Sequence, residues 1–170
     1  MNILAIDPGT MQSGWVLFDG ARVIQSGTSP NDEVLMACYS QAAGQAQCLA
    51  IEEPEGMGQI ASHALLRAAW AGGGFERAWP RLARSPLRIT RRMVVAELLR
   101  PATVKGKSQD SRIRQALIDR VGEPGTKRAP GPTYGVSSHA WSALAVAVVA
   151  WGQLHVPRET VTVPLLRAVA

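Results

Sequence analysis

Apolar residues run without interruption over residues 3–6 and stop at Asp7-Pro8-Gly9. A short apolar run bounded by turn residues predicts a strand buried on both faces. Residues 14–18 predict a second strand, Asp19-Gly20 a hairpin turn, and residues 22–27 a third strand. Asn31-Asp32-Glu33 opens a helix, its acids suited to the positive end of the helix dipole, and that helix runs to about Gly44. Residues 49–51 predict a fourth strand, ending at Glu52-Glu53-Pro54. Residues 58–71, rich in alanine and carrying Leu65, Leu66 and Trp70, predict a helix closed by Gly72-Gly73-Gly74, with a further turn or two over 75–82. Residues 87–90 predict a fifth strand and 93–99 a short helix stopped before Pro101. Ser108 caps a helix over 109–121 that Gly122 ends. Residues 123–135 hold Pro124, Pro130 and Pro132 among glycines, Lys127 and Arg128, and read as a mobile, basic loop. Ser137 or Ser138 caps the last long helix, which reaches about Leu154 before Pro157 and Pro164 make the tail irregular. Crossover connections beside antiparallel hairpins predict an α/β fold, a mixed five-stranded sheet flanked by helices. One domain over residues 1–155 and a tail over 156–170 are expected; the chain shows no internal repeat or low-complexity segment.

A length of 170 residues with 46% hydrophobic and 18% charged residues suits one domain with a full core, not a disordered chain. The net charge of +5 favours a polyanionic partner, of which nucleic acid is the usual one, although charge alone fits a merely soluble basic protein as well. Cys38 and Cys48 lack metal-ligand spacing and read as reduced packing residues of a cytosolic protein. The N-terminal apolar run is too short for a signal peptide and has no basic flank, and residues 143–151 are too few to span a bilayer. A soluble, cytoplasmic protein without membrane contact is expected.

Asp7 and Glu52 each end a buried strand. If those strands are neighbours, two carboxylates meet at one sheet end, and hard cations such as Mg²⁺ take few such oxygens, leaving water and phosphate to complete the shell. Metals so held activate water and stabilise the leaving oxygen in phosphodiester hydrolysis. An acid after a strand is as readily a turn or cap residue, so Asp7 by itself divides the two readings evenly. Glu52 beside Glu53 is less easily dismissed, because adjacent acids repel and call for a compensating positive charge, while strand alternation lets only one of them face a given site. His139 and Ser142, three apart, share one face near the start of the last helix. His139 could ligate a metal or handle a proton, although a histidine at a helix start is more often a surface residue, which is the reading kept for His63 and His155. Lys105, Lys107, Arg112 and Arg114 form the densest basic stretch, with Arg91, Arg92 and Arg100 upstream. A basic loop entering a helix N-terminus suits phosphate, and scattered charges on a solvated helix are the plain alternative. Trp70, Trp141 and Trp151 fall on apolar helical patterns and read as core or interface.

Four stretches in order resemble the RuvC family of Holliday junction resolvases, the compact phage-type members in particular. They are Ile3-Leu4-Ala5-Ile6-Asp7-Pro8-Gly9-Thr10 with Gly14; Ala50-Ile51-Glu52-Glu53-Pro54; Lys107-Ser108-Gln109 opening a helix; and His139-Ala140-Trp141-Ser142-Ala143-Leu144-Ala145. The resemblance spans roughly residues 1–152. It implies an RNase H-like fold and a homodimer cutting opposing strands of a four-way junction with Mg²⁺ or Mn²⁺. It implies metal-binding acids at Asp7 and Glu52, with the third and fourth catalytic places on His139 and Ser142. Some members carry His at the third place, whereas the fourth is normally Asp. Three explanations of Ser142 stand open: an introduced Asp-to-Ser change, a weak or inactive homologue, or substitution by Glu53 or an acid from elsewhere. Where cellular members carry an aromatic wedge, this chain has Glu55, which makes forks and flaps plausible substrates beside junctions. The resemblance further implies that Lys105 and Lys107 contact the scissile-strand phosphate, and that the alanine-rich helix packs against the partner subunit.

Two other functions fit parts of this pattern. A non-catalytic junction-binding protein of the same fold would explain Ser142. An actin-like kinase fragment would explain Asp7-Pro8-Gly9-Thr10, but such kinases need two such domains, and 170 residues are too few.

Overall fold

The computed structural model describes residues 1–56, 62–80, 83–99 and 108–155. β1 (Ile3–Asp7), β2 (Gln12–Phe18) and β3 (Val23–Pro30) form an antiparallel series. β1 also pairs in parallel with β4 (Cys48–Glu53), and β4 with β5 (Leu87–Thr90), so the sheet order is β3-β2-β1-β4-β5. β1 is central because its residues are apolar on both faces. Ile3 and Ala5 enter one core cluster, Leu4 and Ile6 the other, as strand alternation requires of a strand covered above and below.

The first of those clusters is closed by α6 (Ala140–His155), which lies across β1 and β2. From Ala140 to Ala150 only Ser142 escapes full burial, and a helix apolar all round is a core helix. α4 (Arg91–Leu98) and α5 (Gln109–Val121) pack beside it through Val94, Ile113 and Leu117. The opposite face is covered by α1 (Asn31–Tyr39) and α3 (His63–Ala78), through Val34, Cys38, Phe75 and Ala78. This is the mixed five-stranded sheet flanked by helices that the pattern predicts.

Several elements differ from expectation. The helix starting at Asn31 stops at Tyr39, and α2 (Gln41–Gly44) follows as a separate turn. Gln41 takes a left-handed φ of 49°, which redirects the chain so that Ala46 and Cys48 can enter the core. The three glycines at 72–74 do not end α3, which runs through them to Ala78. Each glycine costs a helix about 1 kcal/mol relative to alanine, and burial of Phe75 and Ala78 beyond them offsets that cost. Gly72 also lies against β1 and β4, where a β-carbon would meet Pro8 at 3.4 Å and Ile51 at 3.6 Å. α4 begins at Arg91, two residues early, because the Thr90 hydroxyl accepts a hydrogen bond from the Met93 N–H at 3.3 Å. The loop 123–135 is tied down: the Pro132 carbonyl accepts from the Val23 N–H at 2.8 Å, and the buried Thr133 hydroxyl donates to the Gly122 carbonyl at 2.8 Å.

Trp141 is buried, and Trp151 meets the Phe18 ring edge-on at 6.1 Å. Trp70 is not core; it is 83% exposed on α3. Cys38 and Cys48 are free and buried, and burial pushes the Cys38 thiol up to about 12. Among the described residues no helix is long and apolar enough to cross a membrane. The expected helical residues 58–61 and the tail 156–170 lie outside the described residues.

Candidate active site

Because β1 and β4 run in parallel with Ile6 opposite Ile51, the next residue on each strand emerges at the same sheet edge. Those residues are Asp7 and Glu52. The turn after Asp7 is fixed by a small polar network: the Ser13 hydroxyl accepts from the Gly9 N–H at 3.2 Å and donates to Asn31 Oδ1 at 2.7 Å, while Asn31 Nδ2 donates to the Gly9 carbonyl at 3.1 Å. On the other side Asp7 lies opposite Gly14 of β2. A β-carbon at Gly14 would come within 2.4 Å of the His139 carbonyl oxygen, so only glycine lets the entry to α6 come this close to the strand. His139 immediately precedes α6, with its Nδ1 at 3.8 Å from Asp7 Oδ2. Its carbonyl accepts from the Ser142 N–H at 3.1 Å, which sets Ser142 one turn further on. Asp7, Glu52, His139 and Ser142 thus come together from three elements far apart in sequence.

Burial is the main influence on both carboxylates, and it raises both. Glu52 is pushed up to about 7 by burial and then by the charge of Asp7, while Arg91 pulls the other way. Asp7 is also raised by burial, against the opposing influence of His139, Glu52, Ser142 and Arg91. Two half-buried acids facing each other resist simultaneous ionisation, so the pair has an unmet demand for positive charge. Glu53 points elsewhere, toward Arg88, whose guanidinium lies 4.0 Å from Glu53 and 2.7 Å from Glu76. Alternation along β4 therefore separates the two adjacent acids, and only Glu53 lies against a cation that an ion pair supplies.

Two open cavities flank the carboxylates. One of about 340 Å³ is lined by Asp7, Pro8, Glu52, Glu55 and Arg91. The other, of about 360 Å³, is lined by Arg91, Asp110, Arg114, His139 and Ser142. Arg91 borders both, and its guanidinium pairs with Asp110. In the sequence Arg91 is one more upstream basic residue, and Asp110 carries no signal of a site. The available signal for Arg91 was its place directly after β5, which runs parallel to β4, so that it leaves the sheet at the edge that carries Glu52. Asp110 read as an ordinary acid in the first turn of a helix, and nothing in its local sequence says otherwise.

Arg114 stands at the cavity with its guanidinium 4.7 Å from the Trp141 ring centroid, and Arg112 is half-buried on the same helix. Lys105, Lys107 and Arg100 lie outside the described residues. Glu55 is held against the start of α4, where its carboxylate accepts from the Arg92 N–H at 3.4 Å.

The donor chemistry suits a hard divalent cation bound by Asp7 and Glu52, with His139 and the Ser142 hydroxyl nearby. Among the described residues no group of three or more His, Cys, Asp or Glu stands ready to hold a metal ion by itself. A Mg²⁺ ion held by this carboxylate pair would take the rest of its shell from water and phosphate.

No family model matches the sequence, and no curated protein is similar to it. Solved structures are similar in fold. RuvC of Thermus thermophilus in complex with a Holliday junction substrate superposes with a TM-score of 0.62 at 16% identity, over 91% of this chain and 96% of that one. A second Thermus thermophilus RuvC structure gives 0.61 at 18% identity, with the same coverage of 91% and 96%. At these identities the likeness speaks for the fold alone, and with the β3-β2-β1-β4-β5 sheet it gives the conclusion: this chain has the RNase H-like fold of RuvC.

Proposed function

We propose that this protein is an endodeoxyribonuclease that cuts Holliday junctions and other branched DNA with Mg²⁺ or Mn²⁺. The observation that carries the proposal is the half-buried Asp7–Glu52 pair at the shared edge of β1 and β4, with His139 and Ser142 beside Asp7. A cation bound there would supply an activated water and charge stabilisation at the leaving oxygen. Asp7 and Glu52 would hold it. His139, with Nδ1 at 3.8 Å from Asp7 Oδ2, is placed to hold or pass a proton. Ser142 lies close enough to Asp7 to favour its ionised form. Arg112 and Arg114, with Lys105 and Lys107, would hold phosphates of the DNA, an interaction that weakens with salt. The same reading places the protein with the compact phage-type members, working in the cytoplasm of a bacterial cell; buried, free Cys38 and Cys48 suit a reducing compartment.

The test is a synthetic four-way junction incubated with the protein and either metal, beside a linear duplex of the same sequence. The expected result is symmetric nicking of the junction and an intact duplex. Ser142 favours a second reading, a junction-binding protein that does not cut. Tight, salt-sensitive junction binding with no cleavage under either metal would decide for it.

A homodimer joined through α3 belongs to the same proposal. Leu66 and Trp70 on α3 are 58% and 83% exposed, and with His63 and Ala71 they border a cavity of about 610 Å³. Large apolar side chains grouped on one face mark an association surface. Trp70→Lys is expected to give monomers by light scattering at micromolar concentration, with the melting temperature of the fold little changed. A dimer unaffected by that change would show that α3 is not the interface.

A further inference from the structure

The segment that leads from α5 back to His139 carries a built turn that the candidate active site does not use. Gly125 and Pro130 pair as an isolated antiparallel bridge, and the Pro124 carbonyl accepts from the Gly131 N–H at 2.9 Å. Thr126 and Ala129 exchange two backbone hydrogen bonds, of 3.0 and 3.1 Å. The result is a miniature hairpin whose two outermost residues are Lys127 and Arg128. Gly125 takes a left-handed φ of 66°, and a β-carbon there would run into the Ala129 carbonyl, so the narrow turn depends on glycine. The Pro132 and Thr133 hydrogen bonds, to Val23 and Gly122, anchor its base. A tip held in this way has little backbone entropy left to lose on binding. Both basic side chains are exposed, and among the described residues neither has an acidic partner. The cations around them are paired, Arg120 with Glu97 at 2.8 Å and Arg22 with Asp19 at 3.5 Å. Glu123 is the one acid between Gly122 and His139, and it stands at the base of the hairpin, not at its tip.

α5 begins at the cavity that His139 and Ser142 border, where Arg114 also stands, and it ends at Gly122, whose carbonyl Thr133 holds. Val23, which bonds Pro132, pairs with Phe18, and Phe18 lies opposite Ile3, at the other end of β1 from Asp7. The carboxylate pair and the basic turn therefore stand at opposite ends of one sheet face. Their separation is roughly the length of α5, 13 residues or about 20 Å. DNA rises about 3.4 Å per base pair, so this is about six base pairs of duplex. We propose that Lys127 and Arg128 form a second DNA-backbone contact, gripping a duplex arm about six base pairs from the phosphate held at the Asp7–Glu52 pair. This rests on the nuclease reading above and adds to it the path of an arm, along α5 from Arg114 to the turn. The acids along that path are engaged: Asp119 accepts from Gln115 at 3.0 Å, and Glu97 holds Arg120. A backbone contact at this distance fixes the direction of an arm without reading its bases.

The experiment measures binding of a synthetic four-way junction by the full chain in chelator, by fluorescence anisotropy over a range of salt. The double variant Lys127→Ala, Arg128→Ala is expected to reduce the slope of log affinity against log salt by about 1 to 2, because each phosphate contact contributes about 0.9. Exchanging the two cations, Lys127→Arg with Arg128→Lys, is expected to keep the natural slope. Hydroxyl-radical footprints locate the contact. The natural chain is expected to protect two patches of one arm about six base pairs apart, and the double variant to lose the outer patch and keep the inner. A double variant with the natural slope and both patches overturns the proposal. So does one that loses both patches together with a lowered melting temperature, which would make the turn structural. In either case the inner patch of the natural chain leaves the nuclease reading standing. A natural chain that protects no DNA at all overturns that reading and this proposal together.

Discussion

In chelator at pH 8, Glu52→Gln is expected to be more stable than the natural chain, by an amount on the order of 3 kcal/mol. The Glu52 carboxyl is pushed from its ordinary 4.5 to about 7 by burial and by Asp7. The folded chain therefore binds this proton more tightly than the unfolded chain does. The stabilisation from that proton is fully present below about pH 4.5 and is lost as pH rises through about 7. Glutamine cannot ionise, so the variant lacks this part of the pH dependence. Urea denaturation at pH 5 and pH 8 measures the difference: a small gap at the lower pH, a large one at the higher. Equal gaps at both would refute a half-buried, mutually repelling pair. Mg²⁺ or Mn²⁺ should then reverse the order at pH 8, because cation binding to the folded site stabilises only the chain that can bind it. On this account the site is a place where stability is given up until a cation arrives.

Asp7→Asn is expected to abolish metal-dependent junction cleavage, by more than about a hundredfold, since even residues that merely support metal ligands cost up to that much. Asparagine keeps the size of the side chain and its place at the end of β1, so junction binding at low salt should persist. It also removes the Asp7 charge, the second influence after burial that raises Glu52, so the Glu52 carboxyl should fall part of the way toward its ordinary range. Cleavage that survives Asp7→Asn under Mg²⁺ would remove Asp7 from the mechanism. Ser142→Asp is the complementary change. A large gain in cutting would show a site complete except for one charge, whereas no gain, in a chain that already cuts, would show that the site needs no acid at that place.

The elements with the plainest local signals are also the ones closest to expectation. The run 3–6 became β1, and Ser108 and Gly122 bound α5 at both ends. Those features depend on neighbouring residues: a turn after an apolar run, an oxygen that accepts a helix N–H, a glycine where φ is 126°. The misplaced boundaries are those where distant packing overrides propensity. Glycines at 72–74 break an isolated helix, yet α3 continues through them because Phe75 and Ala78 are buried on the same sheet face as Ile51. Trp70 lies on an apolar helical pattern yet faces outward, because periodicity locates a face without saying what covers it.

The candidate site divides in the same way. That Asp7 ends one strand and Glu52 stands next to the end of another, one residue before Glu53 closes β4, follows from the local sequence, legible from an apolar run and the turn that follows. That the two strands are parallel neighbours in register is a property of the sheet, and it alone turns two separate acids into a pair that resist ionising together. His139 and Ser142 could be placed on one helical face from their spacing, but their approach to Asp7 depends on Gly14 leaving room across the sheet edge. Arg91 and Asp110 lie 19 residues apart on different helices, and their pairing across the cavity is visible only in the folded chain. Local sequence determines where a strand ends and which group it ends in. Charge interactions act through space, between groups that the chain brings together from distant positions, so the electrostatics of this site were decided only by the tertiary structure.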